Sequence, residues 1–385
     1  MKNDELLSQT ISYLRFPLIV GVVFIHYNLA ENGFSIHGVK YGLDNPDWYY
    51  HIIYFFSGVL PSICVPLFFI ISGFLFFYRK DFNSMVYKQK LRTRARTLLL
   101  PFLLWNIIAI LIQASYKLPF LSSVFPHANQ MDIILSPERL FNTFFAYYEN
   151  EGIFVSSVAE EVLTEANRYP FPINFPLWYV RDLIVMVILS PLIYWMIKRC
   201  GLWFISLLGM VWFFTDSLIF TEGGYATSFF TAAFFFSSGA YFSINGRSFV
   251  ECMRQAKYVP LIYLPLAFAD TFTKGADYNV FIHESGILTG VVSAVIVSSY
   301  LIEKGTVRVH SALTDSCFFI LALHILIMSN IGKVLFSILH LPDSTYSMLL
   351  LYFFVPIITI TFCTLTHVFL GKYLHPVCNL LTGGR

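Results

Sequence analysis

Tracts of about 20 consecutive apolar residues recur along this 385-residue chain, and that is the length of helix needed to cross a lipid bilayer. Hydrophobic residues make up 57% of the chain and charged residues only 12%, whereas an average soluble domain has about a quarter charged residues. So few charges cannot cover a water-facing surface of this size. We therefore exclude a soluble globular enzyme, a nucleic-acid-binding protein and a disordered chain, and predict an all-α integral membrane protein.

The apolar tracts predict a bundle of about ten transmembrane helices that form a single domain, residues 1–385. The second and ninth tracts are long enough to be tilted, kinked or broken, and the seventh is short. The predicted spans are residues 11–29, 52–78, 98–116, 176–197, 202–220, 226–244, 259–272, 280–302, 312–339 and 347–370.

The distribution of lysine and arginine predicts the orientation of the bundle. An even number of spans places both termini on one side of the membrane. If the N-terminus is cytoplasmic, most of the 25 cationic residues fall in cytoplasmic segments, with the densest group between the second and third spans. Since cytoplasmic loops carry an excess of Lys and Arg, we predict that both termini are cytoplasmic.

The one long polar segment, residues 117–175, is then predicted to lie outside the cytoplasm. Within it, Ser136 supplies a capping hydroxyl, Pro137 suits the first position of a helix, and Glu138 complements the positive end of the helix dipole. An apolar stripe follows at helical spacing and predicts a short helix on the outer membrane face. The stripe consists of Leu140, Phe141, Phe144, Phe145 and Tyr148. The segment could act as a lid or binding loop, or as a packing cover over the bundle.

Arg15 and His26 are ionisable residues inside the first predicted span, where such groups are energetically costly. They are 11 residues apart, which on an α-helix is three turns plus about 20°, so both side chains project from one face about 16 Å apart along the axis. This arrangement predicts a cation near the cytoplasmic end and an imidazole near the outer end of one stripe. The alternative is an arginine that reaches the interface and a hydrogen-bonded core histidine.

A basic cluster precedes the third span, in the stretch KQKLRTRARTLLLP. Lys88, Arg92 and Arg96 share one face of a helix, and Arg94 lies between the two arginines. Guanidinium groups bind phosphates through paired hydrogen bonds, so the cluster is a candidate site for a phosphate-bearing ligand. The alternative is an anchor that contacts anionic membrane lipid.

Further polar residues fall inside predicted spans. Trp178 and Arg181 share a face of the fourth span, and we expect Arg181 and Asp182 each to have a charged or hydrogen-bonding partner. Glu284 lies in the outer part of the eighth span and His324 near the middle of the ninth. Together with Arg15 and His26, these residues predict a polar path across the bundle that would suit a transferase or a transporter.

The six cysteines are scattered along the chain, so neither a disulfide framework nor a metal site is predicted.

These motifs resemble, in their order, those of membrane acyltransferase family 3. The matching elements are the pair Arg15 and His26, VPLFFIISGFLFFYR, KLRTRARTLLLPFLLW, NFPLWYVRDL, FFFSSGAYF and FILALHIL. The resemblance covers essentially the whole chain. It implies an enzyme of the bacterial cytoplasmic (inner) membrane that moves an acetyl or other short acyl group from cytoplasmic acyl-CoA to a sugar hydroxyl of a surface or exported glycan.

The resemblance also implies roles for individual residues. Arg15 and His26 would be the essential pair, with His26 as general base, and the basic cluster would face the acyl-CoA donor. His324 would match a late histidine of the family. From the chemistry of acyl transfer, Arg181 or a backbone amide is a candidate to stabilise the oxyanion. We expect Trp178, Asp182 and Glu284 to contact the acceptor, and we expect no metal cofactor.

The sequence departs from one branch of the family at the fourth span. That branch has Trp-Ser-Leu followed by a glutamate, whereas this chain has Trp178-Tyr-Val-Arg181-Asp182, closer to the sugar O-acetylase branch without a C-terminal esterase-like domain. The identity of the acceptor therefore cannot be inferred from the family. The alternative function is a secondary transporter or flippase for a polar or glycan substrate. Such a protein would be expected to show inverted repeats with paired broken helices, and we find no matching partner for the second span.

Overall fold

The computed structural model describes residues 3–29, 34–36, 39–42, 44–79, 81–118, 131–146, 152–156, 171–215 and 225–384. Its first helix, α1 (Asn3–His26), contains the Arg15 and His26 positions on one continuous helix. It packs against several helices from later parts of the chain. Because α1 is surrounded in this way, a stripe on its surface faces the interior of the bundle rather than lipid.

The second span is continuous in direction but changes helix type along its length. It begins as α2 (Asp47–Tyr54), passes through a π-helical turn (Phe55–Val59) and a 3₁₀ turn (Leu60–Ile63), and ends as α3 (Cys64–Phe77). Pro61 at the start of the 3₁₀ turn cannot donate a backbone hydrogen bond, which favours a change of helix type at this position. The sequence predicted that this long span could be tilted, kinked or broken, and the structure shows a change of helix type within one helical run.

A similar change occurs between the basic cluster and the third span. Helix α4 (Ser84–Arg94) is capped by Asn83, whose side chain accepts a hydrogen bond from the Val86 amide. A π-helical turn (Ala95–Leu99) then leads into α5 (Leu100–Ser115). Lys88 and Arg92 on α4 and Arg96 in the π-helical turn are all exposed, whereas Arg94 is partly buried.

The remaining long helices follow the predicted spans, and in the ninth span the helix breaks at Ser316. The helices after α5 are α6 (Pro137–Phe145), α7 (Trp178–Cys200), α8 (Leu202–Phe214), α9 (Tyr225–Ile244), α10 (Phe249–Arg254), α11 (Val259–Thr273), α12 (Asn279–Glu303), α13 (Ser311–Asp315), α14 (Cys317–Ile338), α15 (Thr345–Tyr373) and α16 (His375–Thr382). A short 3₁₀ turn (Phe175–Leu177) precedes α7.

The segments between spans contain two small antiparallel sheets of two strands each. Strand β1 (Phe34–Ile36) pairs with β2 (Val39–Tyr41), and β3 (Met131–Ile133) pairs with β4 (Phe154–Ser156). Helix α6 begins where the sequence predicted, with the Ser136 hydroxyl accepting a hydrogen bond from the Arg139 amide. Tyr148, the last residue of the predicted apolar stripe, lies outside the described residues.

Among the described residues, seven helical segments are long and apolar enough to cross a membrane. These segments confirm an all-α integral membrane protein. Three further helices, α8, α9 and α11, occupy the fifth, sixth and seventh predicted spans. The total of ten crossings, the cytoplasmic position of both termini and the outer position of residues 117–175 stay predictions.

Helices α3 and α9 cross at two glycines. A Cβ atom on Gly73 would lie 2.0 Å from the Phe236 carbonyl oxygen, and one on Gly239 would lie 2.0 Å from the Ile70 carbonyl oxygen. Small residues at such a crossing let two backbones approach closely. The glycine at position 73 therefore serves helix packing.

We expect Gly73→Ala to lower the stability of the protein by about 1–3 kcal/mol, because the added methyl group meets backbone rather than a movable side chain. Thermal unfolding of the purified protein in detergent measures the effect. Gly286→Ala is the matched control, since its Cβ would have no atom within 4 Å. Since alanine favours a helix more than glycine does, helix propensity cannot lower the stability of either variant. An equal loss in both would therefore show that the added methyl group is costly for a reason other than the close crossing.

Candidate active site

A cavity of about 490 Å³ runs inside the bundle between α1, α3, α7 and α14. Arg15 and His26 both line it, as their spacing predicted. Most of the wall between them is formed by aliphatic and aromatic side chains, including Val22, Phe68 and Leu183. The cavity is therefore an apolar passage with a charged group at one end and an imidazole at the other.

The charged end of the cavity is formed by residues from three parts of the chain. Arg15 of α1, Arg94 at the end of α4 and Asp315 at the end of α13 line it, together with Thr314 and Cys317. Arg15 has no carboxylate within 4 Å and no hydrogen-bond partner among the described residues, and the same holds for Arg94. Two guanidinium groups are thus available to an anionic ligand at this end.

The other end of the cavity is built around two histidines. The ring centroids of His26 and His324 lie 5.3 Å apart, and the ring of Phe175 contacts His26 edge-on at 5.1 Å. His324 is fully buried and lies behind His26 rather than on the cavity wall. Its Nδ1 lies 2.8 Å from the Ile320 carbonyl oxygen, which can only accept a hydrogen bond. Nδ1 therefore carries the proton, and in neutral His324 the Nε2 atom is an acceptor.

That Nε2 atom of His324 is buried and has no hydrogen-bond partner within the described part of the chain. A buried acceptor without a donor is costly, so its presence next to His26 is a sign of function. If His26 carries a proton on the ring nitrogen that faces His324, it could donate a hydrogen bond to this Nε2 atom. The fold thus brings His324 next to His26, although the two residues are almost 300 positions apart in the sequence.

Asparagines hold the segment that covers the His26 end. The Asn174 amide donates to Asn106 Oδ1 of α5 at 3.1 Å, and Asn174 Nδ2 donates to the Ala322 carbonyl oxygen of α14 at 2.9 Å. These bonds place Phe175 against His26 and leave Pro176 and Trp178 in the cavity wall. Sequence reasoning found Trp178 but missed both asparagines, because no spacing pattern links positions 106, 174 and 322.

One hydrogen-bonded pair lines the apolar middle of the cavity. The hydroxyl groups of Ser72 and Tyr179 lie 3.0 Å apart, and the Tyr179 hydroxyl also donates to the Phe68 carbonyl oxygen at 3.3 Å. Both residues are in the wall. No spacing pattern in the sequence links Ser72 with Tyr179.

Arg181 and Asp182 are buried and pair with each other, as expected, with 2.8 Å between Arg181 Nε and Asp182 Oδ1. Arg181 also donates to the Phe145 carbonyl oxygen and lies over the Phe145 ring, at the end of α6. Neither residue lines the cavity. The pair therefore connects residues 131–146 to α7. Arg181 holds these two elements together and lies outside the cavity in which the oxyanion is predicted to form.

The other predicted contacts also lie away from the cavity. Glu284 is buried on α12 and is not part of the wall. Lys88, Arg92 and Arg96 are exposed, and of the basic cluster Arg94 alone reaches the cavity. Within the described ranges, no group of three or more His, Cys, Asp or Glu side chains could hold a metal ion.

A charged end, an apolar passage and a pair of neighbouring histidines together form a candidate active site inside the bundle. Comparison with known proteins agrees, because the family model Acyl_transf_3, an acyltransferase domain, matches residues 9–368. The chain belongs to this acyltransferase family, so it is an acyltransferase, and the resemblance found in its motifs is confirmed. The succinoglycan biosynthesis protein ExoH of Rhizobium meliloti (strain 1021) is 26% identical over 309 residues, 79% of this chain and 73% of that protein. No solved structure matches the chain.

Proposed function

We propose that this protein transfers an acetyl or other short acyl group from cytoplasmic acyl-CoA to a sugar hydroxyl of a surface or exported glycan. The observation that carries the proposal is the cavity that joins Arg15 and Arg94 to His26. Its shape suits a donor with phosphates at one end, a narrow flexible arm and a reactive thioester at the other. The similarity to a protein of succinoglycan biosynthesis supports a polysaccharide acceptor.

In this proposal the donor enters from the charged end. The phosphates of acyl-CoA bind Arg15 and Arg94, because guanidinium groups form paired hydrogen bonds with phosphate oxygens. The pantetheine arm lies along the apolar wall, and the Ser72–Tyr179 pair offers it hydroxyl groups in the middle of the passage. The thioester then lies near His26, about 16 Å from Arg15 along the helix axis.

The chemical step follows from the position of His26. Its imidazole removes the proton of the acceptor hydroxyl while the oxygen attacks the acyl carbonyl carbon. The carbon–sulfur bond of the resulting tetrahedral species breaks, and the CoA sulfur takes the proton from the imidazolium, which gives the ester and free CoA. His324 supports the step if its Nε2 accepts a hydrogen bond from His26, since this orients the ring and stabilises its charged form. A covalent acyl-histidine is a variant of the same site.

The proposal places the charged end of the cavity in the cytoplasm, in agreement with the distribution of Lys and Arg. The enzyme would then lie in the bacterial inner membrane, with acetyl-CoA as the first donor to test. The acceptor would reach His26 from the side of residues 171–178, which cover that end of the cavity.

Release of CoA tests the proposal directly. Purified protein is incubated with labelled acetyl-CoA, with and without candidate sugars, and free CoA and acylated sugar are measured. Sugar-dependent release of CoA supports the enzyme. If no CoA is released and no sugar is acylated, acetyl-CoA is not the donor or the tested sugars are not the acceptors.

The basic cluster gives a second test, because its members differ in position. Arg94→Gln should raise the KM for acyl-CoA by about tenfold or more, since a hydrogen bond to a charged group contributes about 1.5–3 kcal/mol. Arg92→Gln and Arg96→Gln are matched controls that remove the same charge from exposed positions, and we expect smaller effects. Equal effects of all three would mean that the cluster acts through its total charge.

A further inference from the structure

A second cavity, of about 660 Å³, lies on the opposite face of α3 from the active-site cavity. We call it the α3 cleft. Phe74, Phe77 and Tyr78 line the cleft, whereas Ser72, Leu75 and Phe76 line the active-site cavity. The rings of Phe76 and Phe77 lie between the two spaces, with 5.0 Å between their centroids.

The aromatic side of the cleft is continuous. Phe82 packs on Phe77 at 4.9 Å and on Tyr194 at 5.0 Å between ring centroids, and all three residues line the cleft. The cleft is also lined by Asp4 and Leu7, from the first turns of α1. It therefore lies at the end of the bundle that carries the N-terminus, which is the predicted cytoplasmic face.

Charges of both signs surround the aromatic side. Arg79 and Asp4 pair with each other at 2.7 Å and are largely exposed. Four more charged residues line the cleft: Lys198, Arg247, Asp81 and Glu251. Within the described residues, none of these four has an oppositely charged group within 4 Å.

The position of Glu251 adds a second observation. Its Oε1 atom is buried and lacks a hydrogen-bond donor among the described residues. A buried acceptor in this state costs free energy unless a ligand supplies the donor. The cleft thus offers separate places for a cation and for an anion, beside an apolar surface.

We propose that the α3 cleft binds the headgroup of a zwitterionic phospholipid. The phosphate binds Lys198 and Arg247, the ammonium group binds Glu251 and Asp81, and the apolar part of the lipid packs on Phe82 and Tyr194. Lys198 lies in the last turn of α7, a position at which cationic side chains reach the lipid headgroups. Tyrosines such as Tyr194 are typical of the same interface.

The nucleotide part of acyl-CoA fits the cleft less well. It also combines a flat apolar group with phosphates, but it has no ammonium group to place against Asp81 and Glu251, and its charges would be repelled by them. A bound lipid would support the end of α3 whose other face forms the active-site cavity. The proposal goes beyond acyl transfer and holds whatever the acyl group and the acceptor are.

The test compares two short-chain lipids that differ only in the headgroup, dihexanoyl phosphatidylethanolamine and dihexanoyl phosphatidylglycerol. Both carry the phosphate, but only the first carries an ammonium group. We measure binding to the detergent-purified full chain by native mass spectrometry and by the shift in thermal unfolding. Wild-type protein should prefer the phosphatidylethanolamine.

The variants separate the two halves of the site. Glu251→Gln should lose the preference for phosphatidylethanolamine while still binding phosphatidylglycerol, and Arg247→Gln should weaken both lipids. Arg199→Gln is the matched control, because Arg199 neighbours Lys198 but does not line the cleft, and it should behave like wild type.

Equal binding of the two lipids by wild-type protein would overturn the proposal, and that measurement does not depend on any variant folding. Displacement of the lipid by adenosine 3′,5′-bisphosphate would also overturn it and assign the cleft to the donor nucleotide.

Discussion

Replacement of His26 by alanine is expected to lower kcat for acyl transfer by about 10²–10⁴-fold, the usual contribution of a general base. His26 lines the cavity, lies next to His324 and shares a helix face with Arg15. Removal of the imidazole takes away the group that accepts the hydroxyl proton but leaves the charged end of the cavity intact. The binding of acyl-CoA should therefore stay close to that of the wild-type protein. The measurement is acyl transfer in membranes with the protein level controlled.

His51→Ala is the control for this variant. His51 also lies in a membrane helix and contacts an aromatic ring, that of Phe272, but it is not part of the cavity wall. It should retain wild-type turnover. If the His26→Ala protein keeps more than about a tenth of the wild-type kcat, His26 is not the general base, because the loss of rate is then smaller than a general base contributes.

Arg15→Lys is expected to lower kcat/KM for the donor by about 10- to 100-fold, mainly through KM. Arg15 has no partner among the described residues and faces the charged end of the cavity, so its guanidinium group is available to bind a phosphate. Lysine keeps the charge but cannot form the paired hydrogen bonds, which contribute about 1.5–3 kcal/mol. Steady-state kinetics with acyl-CoA as the varied substrate gives KM and kcat separately.

Arg199→Lys makes the same substitution at an exposed position outside both cavities, and it should leave the kinetics unchanged. If Arg15→Lys also leaves KM unchanged but lowers kcat, then Arg15 acts on the chemical step or on the shape of the cavity. If both parameters stay at the wild-type level, a point charge is sufficient at this position, and the prediction of a paired contact with phosphate is wrong.

The membrane fold could be predicted from the sequence because its main signal is local. Each apolar tract of about 20 residues must form a helix in lipid, where every backbone polar group has to be bonded within its own segment. The same locality holds for Arg15 and His26, since two residues 11 apart on one helix share a face whatever surrounds them. The change of helix type in the second span also follows from a local feature, Pro61, which cannot donate a backbone hydrogen bond.

The pairing of distant residues required the tertiary structure. His324 lies next to His26, and Asn174 bonds to Asn106 and Ala322, although nothing in the local pattern connects these positions. Helix packing brings them together, and packing depends on the shapes of many side chains at once. Single-helix periodicity gives the face on which a residue lies but not the neighbour that it meets.

The basic cluster shows the same division in one short segment. The sequence predicted a cationic helix with Lys88, Arg92 and Arg96 on one face, by assuming 3.6 residues per turn. In the structure a π-helical turn begins at Ala95, and it is Arg94 that reaches the active-site cavity. The sequence alone determined that this protein spans a membrane and carries an arginine and a histidine on one inner stripe. Only the tertiary structure decided which further residues face them, because that depends on contacts between helices.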